Sequence, residues 1–202
     1  KLENQIKYYK EDVRDLEKMN NIISNEKPDF IFHLAAQPLV LRSYADPIET
    51  ISSNVMGTTN ILQSMKKLNN KCSAIIITSD KSYDNIEQVS GYKEDDALGG
   101  KDIYSGSKGA AELIIKSFYH SFIKSKYYNL RIAVARAGNV IGGGDWANDR
   151  VVVDCIKAWS EGKIAEIRSP NATRPWQHVL EPLSGYLHLA SELSLNYDLN
   201  GQ

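Results

Sequence analysis

Tyr104 and Lys108 stand four residues apart in the stretch Asp102-Ile103-Tyr104-Ser105-Gly106-Ser107-Lys108-Gly109-Ala110-Ala111-Glu112, where a turn-rich segment gives way to a helical pattern. On a helix that spacing puts both side chains on one face, so the Lys108 charge favours the Tyr104 phenolate over the phenol. With an ordinary pKa of ~10, a tyrosine holds its proton too tightly to act as a base near neutrality, and a fixed neighbouring cation is one of the few ways to change that. The spacing alone arises by chance about once in a chain of this composition. An ordinary helical surface pair has the same signature, so the surrounding residues must decide.

Other polar groups gather where apolar runs stop. Ser79, Asp80 and Lys81 follow the run Ala74-Ile75-Ile76-Ile77-Thr78. A serine hydroxyl there can hydrogen-bond both a substrate hydroxyl and the Tyr104 phenol, although a serine merely ending a strand looks the same. Asp80 beside Lys81 sets an acid and a base together, which suits proton shuttling in a closed site; an exposed ion pair in a turn is the plainer alternative. Next to Tyr104 and Lys108 the first reading is preferred. Ala35-Ala36-Gln37 and Gly138-Asn139 close two further runs in the same way. Arg174-Pro175-Trp176-Gln177-His178 combines a guanidinium for phosphate with an indole for stacking, or packs Trp176 on the surface. His33, inside an apolar run, reads as a core histidine. The glycines at 142, 143 and 144 lack the spacing and strand-to-helix setting of a phosphate loop and read as a flexible loop. Cys72 and Cys155 show no metal-ligand spacing and no disulfide framework, and read as small buried filler in a reducing cytoplasm. No metal site is expected.

These groups need elements to hold them. Periodicity predicts a strand or strand end over 8–13, a helix over 16–25 with Leu16, Met19, Ile22 and Ile23 on one face, and a strand over 29–36. Asp46-Pro47 reads as N-cap and first helical residue of a helix reaching about residue 68, striped by Ile48, Ile51, Val55, Thr58, Ile61, Leu62, Met65 and Leu68. A strand over 74–78 and a turn-rich stretch over 83–100 follow, then a helix over 104–125 with Leu113, Ile114, Phe118 and Phe122 inward, and a strand over 130–137. The remainder reads as helices over 151–161 and 182–193 with a short strand over 165–168 between them. Buried strands alternating with amphipathic helices specify the α/β class: a doubly wound parallel sheet with right-handed crossovers. Ligands of such sheets lie outside the carboxyl ends of the strands, where Ala35 to Gln37, Ser79 to Lys81 and Asn139 join Tyr104 and Lys108.

The chain has 202 residues, 42% of them hydrophobic, enough for one domain with a sizeable core. Its 24 Lys and Arg nearly balance 25 Asp and Glu, so no global field attracts nucleic acid or an anionic membrane. Local groups must hold any anionic ligand. No apolar run approaches the ~18 residues of a membrane span, and the polar opening Lys1-Leu2-Glu3-Asn4-Gln5 is not that of a signal peptide. The lack of an initial methionine suggests a fragment.

Seven motifs carry a family resemblance: Asp12-Val13-Arg14-Asp15, His33-Leu34-Ala35-Ala36-Gln37-Pro38, Asn54-Val55-Met56-Gly57-Thr58, Thr78-Ser79-Asp80-Lys81, Tyr104-Ser105-Gly106-Ser107-Lys108, the stretch 135–147, and Arg174-Pro175-Trp176-Gln177-His178-Val179. The chain resembles the extended short-chain dehydrogenase/reductases over nearly its whole length, and its last two motifs with Asp80-Lys81 resemble their CDP-glucose 4,6-dehydratase branch. The resemblance implies a Rossmann-like NAD-binding sheet and an internal redox dehydration of a nucleotide sugar, CDP-glucose, on tightly held NAD. Tyr104 would take the proton from the hydroxyl at carbon 4, helped by Ser79, with Lys108 lowering the phenol's pKa and holding the nicotinamide ribose. Water would leave across carbons 5 and 6, protonated by Asp80, before hydride returns to carbon 6. Asp12 and Val13 would meet the adenine, Leu34, Ala35, Ala36 and Gln37 would line the cofactor, and Asn54 would pin the loops around it. Gln37, Asn139, Arg150, Arg174 and Trp176 would contact the substrate. Lys81 replaces the glutamate of the wider dehydratase pattern and agrees with the CDP-glucose branch, leaving the base at carbon 5 open. The family's glycine-rich first turn and C-terminal segment are expected to lie outside this chain, which would hold a partial NAD-binding region over 1–140 and the start of a substrate-binding region over 141–202, interleaved with the remaining sheet elements. Homodimers or higher homo-oligomers are implied for the whole protein. A nucleotide-sugar epimerase, another sugar-nucleotide dehydratase and a non-catalytic sugar-nucleotide binder are the rival readings.

Overall fold

The computed structural model describes residues 5–201. Helix α1 (Leu16–Glu26) starts at Asp15, whose carboxylate accepts the Lys18 N–H at 3.0 Å, and stops where Lys27 turns left-handed before Pro28. Strand β1 (Phe30–His33) leads to α2 (Val40–Ala45) and to α3 (Pro47–Ile51), which Asp46 caps by accepting the Glu49 N–H at 2.8 Å. A π-helical turn over Ser52–Met56 joins α3 to α4 (Gly57–Met65). After β2 (Cys72–Ile77) and a short turn at Asp80–Ser82 comes α5 (Ile103–Phe118), extended by a second π-turn, Tyr119–Ile123, and by α6 (Lys124–Lys126). The chain continues through β3 (Leu130–Ala135), β4 (Asn139–Ile141), α7 (Val151–Ser160), β5 (Trp176–His178) and α8 (Leu180–Leu195).

Strands β1, β2 and β3 form a parallel sheet in that order, with Ala74 opposite Ile31 on one side and Ile132 on the other. Alternate residues serve two cores. Ala74, Ile76 and Ile132 meet Met19, Ile23, Ile61, Leu62, Met65 and Ile115 from α1, α4 and α5, whereas Ile75 and Ala133 meet Tyr186, Ala190 and Leu193 from α8. Helices cover both faces, which is why the strands read as continuous apolar runs rather than alternating ones. The doubly wound parallel α/β sheet is the observed fold, and α8 belongs to its second layer although it lies late in the chain.

Several local expectations are corrected. Residues 8–13 are irregular: they pair with no described strand, and Lys7 and Tyr9 instead tie this approach to α1 through Glu26 at 2.8 and 2.5 Å. No strand forms over 165–168; β4 pairs in parallel with β5, and a strand exists only where a partner accepts its backbone groups. Helix α2 lies in a stretch for which no element is expected. The buried stripes are narrower than periodicity predicts: Leu16, Ile48, Ile51, Leu113 and Ile114 are exposed. The face that α5 turns inward is made largely of small and polar residues, including Ser105, Ser107, Gly109 and Ala111, together with Ile115 and Phe118.

Candidate active site

Asp102 fixes the start of α5. Its carboxylate accepts the Ser105 N–H at 2.9 Å and the Ser105 hydroxyl at 2.7 Å, setting Tyr104 in the first turn. Across from it, the Ser79–Ser82 segment is tied to the end of β3 by Asp80 N–H donating to the Ala137 carbonyl at 3.1 Å. It closes on itself through the Ser82 hydroxyl, which donates to the Ser79 carbonyl at 2.7 Å. This turn lies directly on α5 because Gly109 has no side chain: a Cβ there would stand 3.1 Å from the Gly99 oxygen and 3.3 Å from that of Ser82. Two segments far apart in sequence thus bring Ser79 and Asp80 to Tyr104.

Tyr104 is buried, and its phenol is raised above 10, burial being the main cause. The Ser79 hydroxyl and Arg150 lower it; Asp80 and Asp102 raise it. Expectation had Lys108 as the group favouring the phenolate, yet the charges acting here are those of Asp80, Arg150 and Asp102, and burial outweighs the favourable ones. Ser79 donates its proton to Asp80 at 3.0 Å and accepts the Lys81 N–H at 3.2 Å. A hydroxyl owns one proton, so Ser79 can serve the Asp80 carboxylate or a Tyr104 phenolate, but not both at once. Ser79 thus stands beside both, its proton on Asp80 and its hydroxyl near enough to Tyr104 to lower the phenol's pKa.

Lys108 is buried, which brings its pKa down to about 8, with Glu112 opposing the drop. It remains mostly charged at neutral pH, and its charge reaches His33. His33 is a buried core histidine, as expected, held near pKa 4 by burial first and Lys108 second. The Thr58 hydroxyl donates to the Asn54 carbonyl at 2.7 Å, so at 3.1 Å the His33 Nε2 must be the donor to Thr58. Asn54 sits in the π-turn. Its side chain accepts the Gln37 N–H at 2.8 Å and donates to the Gln37 carbonyl at 3.2 Å and to Ser107 Oγ at 2.9 Å, clamping the loop after β1 to α5. The Gln37 side chain is already engaged with Thr50 and Leu39.

Two cavities flank this centre. One, of about 460 Å³, is lined by Lys10, Glu11, Asp12, Val13, Ala35, Ala36 and Ser53. Asp12 is paired with Arg14, which holds its carboxyl below the usual range, and Leu34 is exposed at the neighbouring strand end. The other, of about 760 Å³, is lined by Asp80, Lys81, Tyr83, Tyr92, Asp102 and Arg174, among others. Arg150 approaches Tyr104 and forms an ion pair with Asp145 at 3.3 Å. Asn139 and Trp176 are register partners in β4 and β5, outside the walls of either cavity. Of the residues expected at the site, Ser79 and Asp80 are brought together beside Tyr104, and Gln37 is bound to Asn54. Arg174 is exposed, its guanidinium donating to the adjacent Thr173 carbonyl.

Sequence reasoning overlooked a charged pair within this cluster. Glu112, one turn past Lys108, meets Arg136 in the most buried ion pair among the described residues and accepts the Thr78 hydroxyl at 2.6 Å. The visible signal was a Glu four residues after Lys108 on an otherwise small-residue face.

A family model described as GDP-mannose 4,6 dehydratase matches residues 1–194. CDP-glucose 4,6-dehydratase of Salmonella typhimurium is 51% identical over 185 residues, covering 90% of this chain and 52% of that protein. The chain therefore spans about half the length of that relative. Among solved structures, RMD from Pseudomonas aeruginosa in complex with NADPH superposes with a TM-score of 0.76 at 27% identity, over 91% of this chain and 62% of that one. The dTDP-glucose 4,6-dehydratase DesIV of Streptomyces venezuelae, with NAD and TYD bound, gives 0.75 at 21% identity over 91% and 53%, a likeness of fold.

Proposed function

The chain belongs to the GDP-mannose 4,6 dehydratase family, and from that premise we propose that the whole protein is a hydro-lyase that removes water from CDP-glucose on NAD, yielding CDP-4-keto-6-deoxyglucose. The observation that carries the reading is the place of Ser79, beside Tyr104 and hydrogen-bonded to Asp80, which sets a proton acceptor and a proton donor on either side of one hydroxyl. An epimerase needs the first and not the second. The choice of CDP-glucose over other nucleotide sugars rests on the likeness to the Salmonella typhimurium enzyme and on Lys81 following Asp80.

The residues present fit a nicotinamide dinucleotide. The shelf of about 460 Å³ has small walls at Ala35 and Ala36 and lies by the carboxyl end of β1, where dinucleotides bind such sheets. Asp12 and Val13 would hold the adenine there, with Leu34 and Gln37 along the cofactor and Asn54 pinning its loop. Lys108 is a buried ammonium that takes part in no ion pair among the described residues and would hold the nicotinamide ribose. When bound, the cofactor supplies hydride acceptance from carbon 4 and hydride return to carbon 6. Tyr104 takes the proton of the carbon 4 hydroxyl in its phenolate form, which Ser79 supports by turning its own proton toward that oxygen, and is left as the phenol. The new ketone acidifies the proton at carbon 5, and Lys81 stands on the same turn as Asp80. Asp80 protonates the hydroxyl leaving carbon 6. Asn139, Arg150, Arg174 and Trp176, with Gln37, would border the nucleotide diphosphate.

In the same reading, residues 1–140 supply the cofactor side and 141–202 the beginning of the substrate side. Exposed Leu41, Tyr44, Ile48, Ile51, Leu113 and Ile114 lie on α2, α3 and α5, an apolar surface that supports a homodimer. Two free cysteines, one buried and one partly buried, agree with a cytoplasmic setting. The test is incubation of the whole protein with CDP-glucose and NAD. The 4-keto-6-deoxy product is expected. A sugar with inverted carbon 4 configuration would make it an epimerase, and tight binding without turnover a binding protein.

A further inference from the structure

The reaction scheme leaves Glu112 and Arg136 without a part. Arg136, just past the end of β3, donates from Nε to the two Glu112 oxygens at 2.9 and 3.0 Å and from Nη2 at 2.5 Å, while Thr78 Oγ1 donates to the same carboxylate at 2.6 Å. Arg136 then continues outward. Its Nη1 donates to the Glu94 carbonyl at 3.1 Å, and its guanidinium lies 4.4 Å from the centroid of the Tyr83 ring, which stacks on Tyr92 at 4.9 Å. One carboxylate thus joins the strand end before Ser79, the helix of Tyr104 and Lys108, the strand end before Asn139 and a wall of the larger cavity. Apolar residues of the same volume generally match or exceed a buried ion pair in stability. They provide neither direction nor charge.

We propose that Glu112 and Arg136 are the positioning pair of the site, holding Tyr104 and Lys108 in register with Ser79 and Asp80 and setting the charge that Lys108 faces. The inference rests on the functional reading above. Glu112 is the one charge that favours the ammonium of Lys108 against burial. The other groups near Lys108 do not compete. His33 on β1 is neutral above its pKa of about 4, Tyr104 is a neutral phenol, and Asn54 and Thr58 carry no charge. Asp80, Asp102 and Arg150 act on Tyr104. Arg136 compensates most of the Glu112 charge, so what remains for Lys108 depends on how well that two-pronged contact is made.

The two partners therefore predict shifts of opposite sign. Removing the carboxylate in Glu112→Gln leaves Lys108 with burial alone, and its protonation midpoint falls below about 8 by about one pH unit. Replacing the fork by a point charge in Arg136→Lys exposes Lys108 to more of the Glu112 charge, and the midpoint rises. Glu112→Asp keeps the charge and restores the midpoint. The measurement is NMR titration of the whole protein carrying ¹³C-labelled lysine, without nucleotide, with the Lys108 signal identified by its loss in Lys108→Met. Midpoints that do not move, or that move the same way in Glu112→Gln and Arg136→Lys, overturn the proposal. If Glu112→Gln does not fold, the rise in Arg136→Lys decides it. Opposite shifts without turnover of any nucleotide sugar would sink the dehydratase reading and leave the pair standing. Turnover with unmoved midpoints would do the reverse.

Discussion

Replacing Lys108 by methionine should separate stability from activity. Burial holds the lysine at a pKa of about 8, against 10.5 for the free side chain. Below the folded value the amine is charged in both states, and confining that charge opposes folding. Between about 8 and 10.5 the unfolded chain binds more protons than the folded one, so the contribution of this group to stability rises with pH. The cost at neutral pH is about 3 kcal/mol, the free energy equivalent of the difference between the two values. Methionine keeps most of the aliphatic stem and brings no charge to bury. Lys108→Met in the nucleotide-free whole protein is therefore expected to gain about 3 kcal/mol at neutral pH, shrinking to about 1.5 kcal/mol near pH 9.5, where the wild-type amine is already neutral in the fold. Turnover should be lost. Urea unfolding at both pH values, with equal dependence on denaturant in the two proteins, reads the difference. A variant no more stable than wild type at neutral pH, or a gain that stays constant with pH, would refute the account of Lys108 as a buried ammonium without a carboxylate of its own.

Tyr104→Phe should cut oxidation at carbon 4 by about a hundred- to ten-thousand-fold while cofactor binding persists, measured by stopped-flow and calorimetry. Asp80→Asn should still oxidise carbon 4 but stall afterwards, so that the 4-keto sugar with its carbon 6 hydroxyl intact accumulates; unimpaired formation of the 6-deoxy product would remove Asp80 from its role as acid. In Gly57→Ala the new Cβ would lie 2.8 Å from Val13 Cγ2. Moving Val13 should weaken NAD binding several-fold by calorimetry, while the thermal midpoint changes little because alanine adds about 1 kcal/mol of helix propensity. Leu113→Glu places a charge on the exposed apolar face of α5 and should leave a monomer in sedimentation velocity; an unchanged dimer would place the interface elsewhere.

Much of the fold is legible along the chain because its signals are local. The strands are short continuous apolar runs, and Asp15, Asp46 and Asp102 cap the helices whose starts they mark. His33 was readable as a core residue from the run around it, and Asn54 as a loop pin from its motif. What escaped were features that need a distant partner. The exposure of Ile48, Ile51, Leu113 and Ile114 depends on which helix face the sheet can cover, and periodicity shows only that an apolar face exists. The choice of residues 176–178 over 165–168 as a strand depended on β4.

At the site, the sequence by itself determined the chemical types and the helical spacing of Tyr104 and Lys108, together with the strand-end placement of Ser79 and Asp80. Only the tertiary structure decided their electrostatics. Burial raises the phenol of Tyr104 and lowers the ammonium of Lys108, and the charges that reach Tyr104 come from Asp80, Arg150 and Asp102. Glu112 finds Arg136 24 residues away and Thr78 34 residues away. The reason is physical: helical spacing follows from backbone geometry within a few residues, whereas a pKa follows from the dielectric and charges that the whole fold assembles around a group.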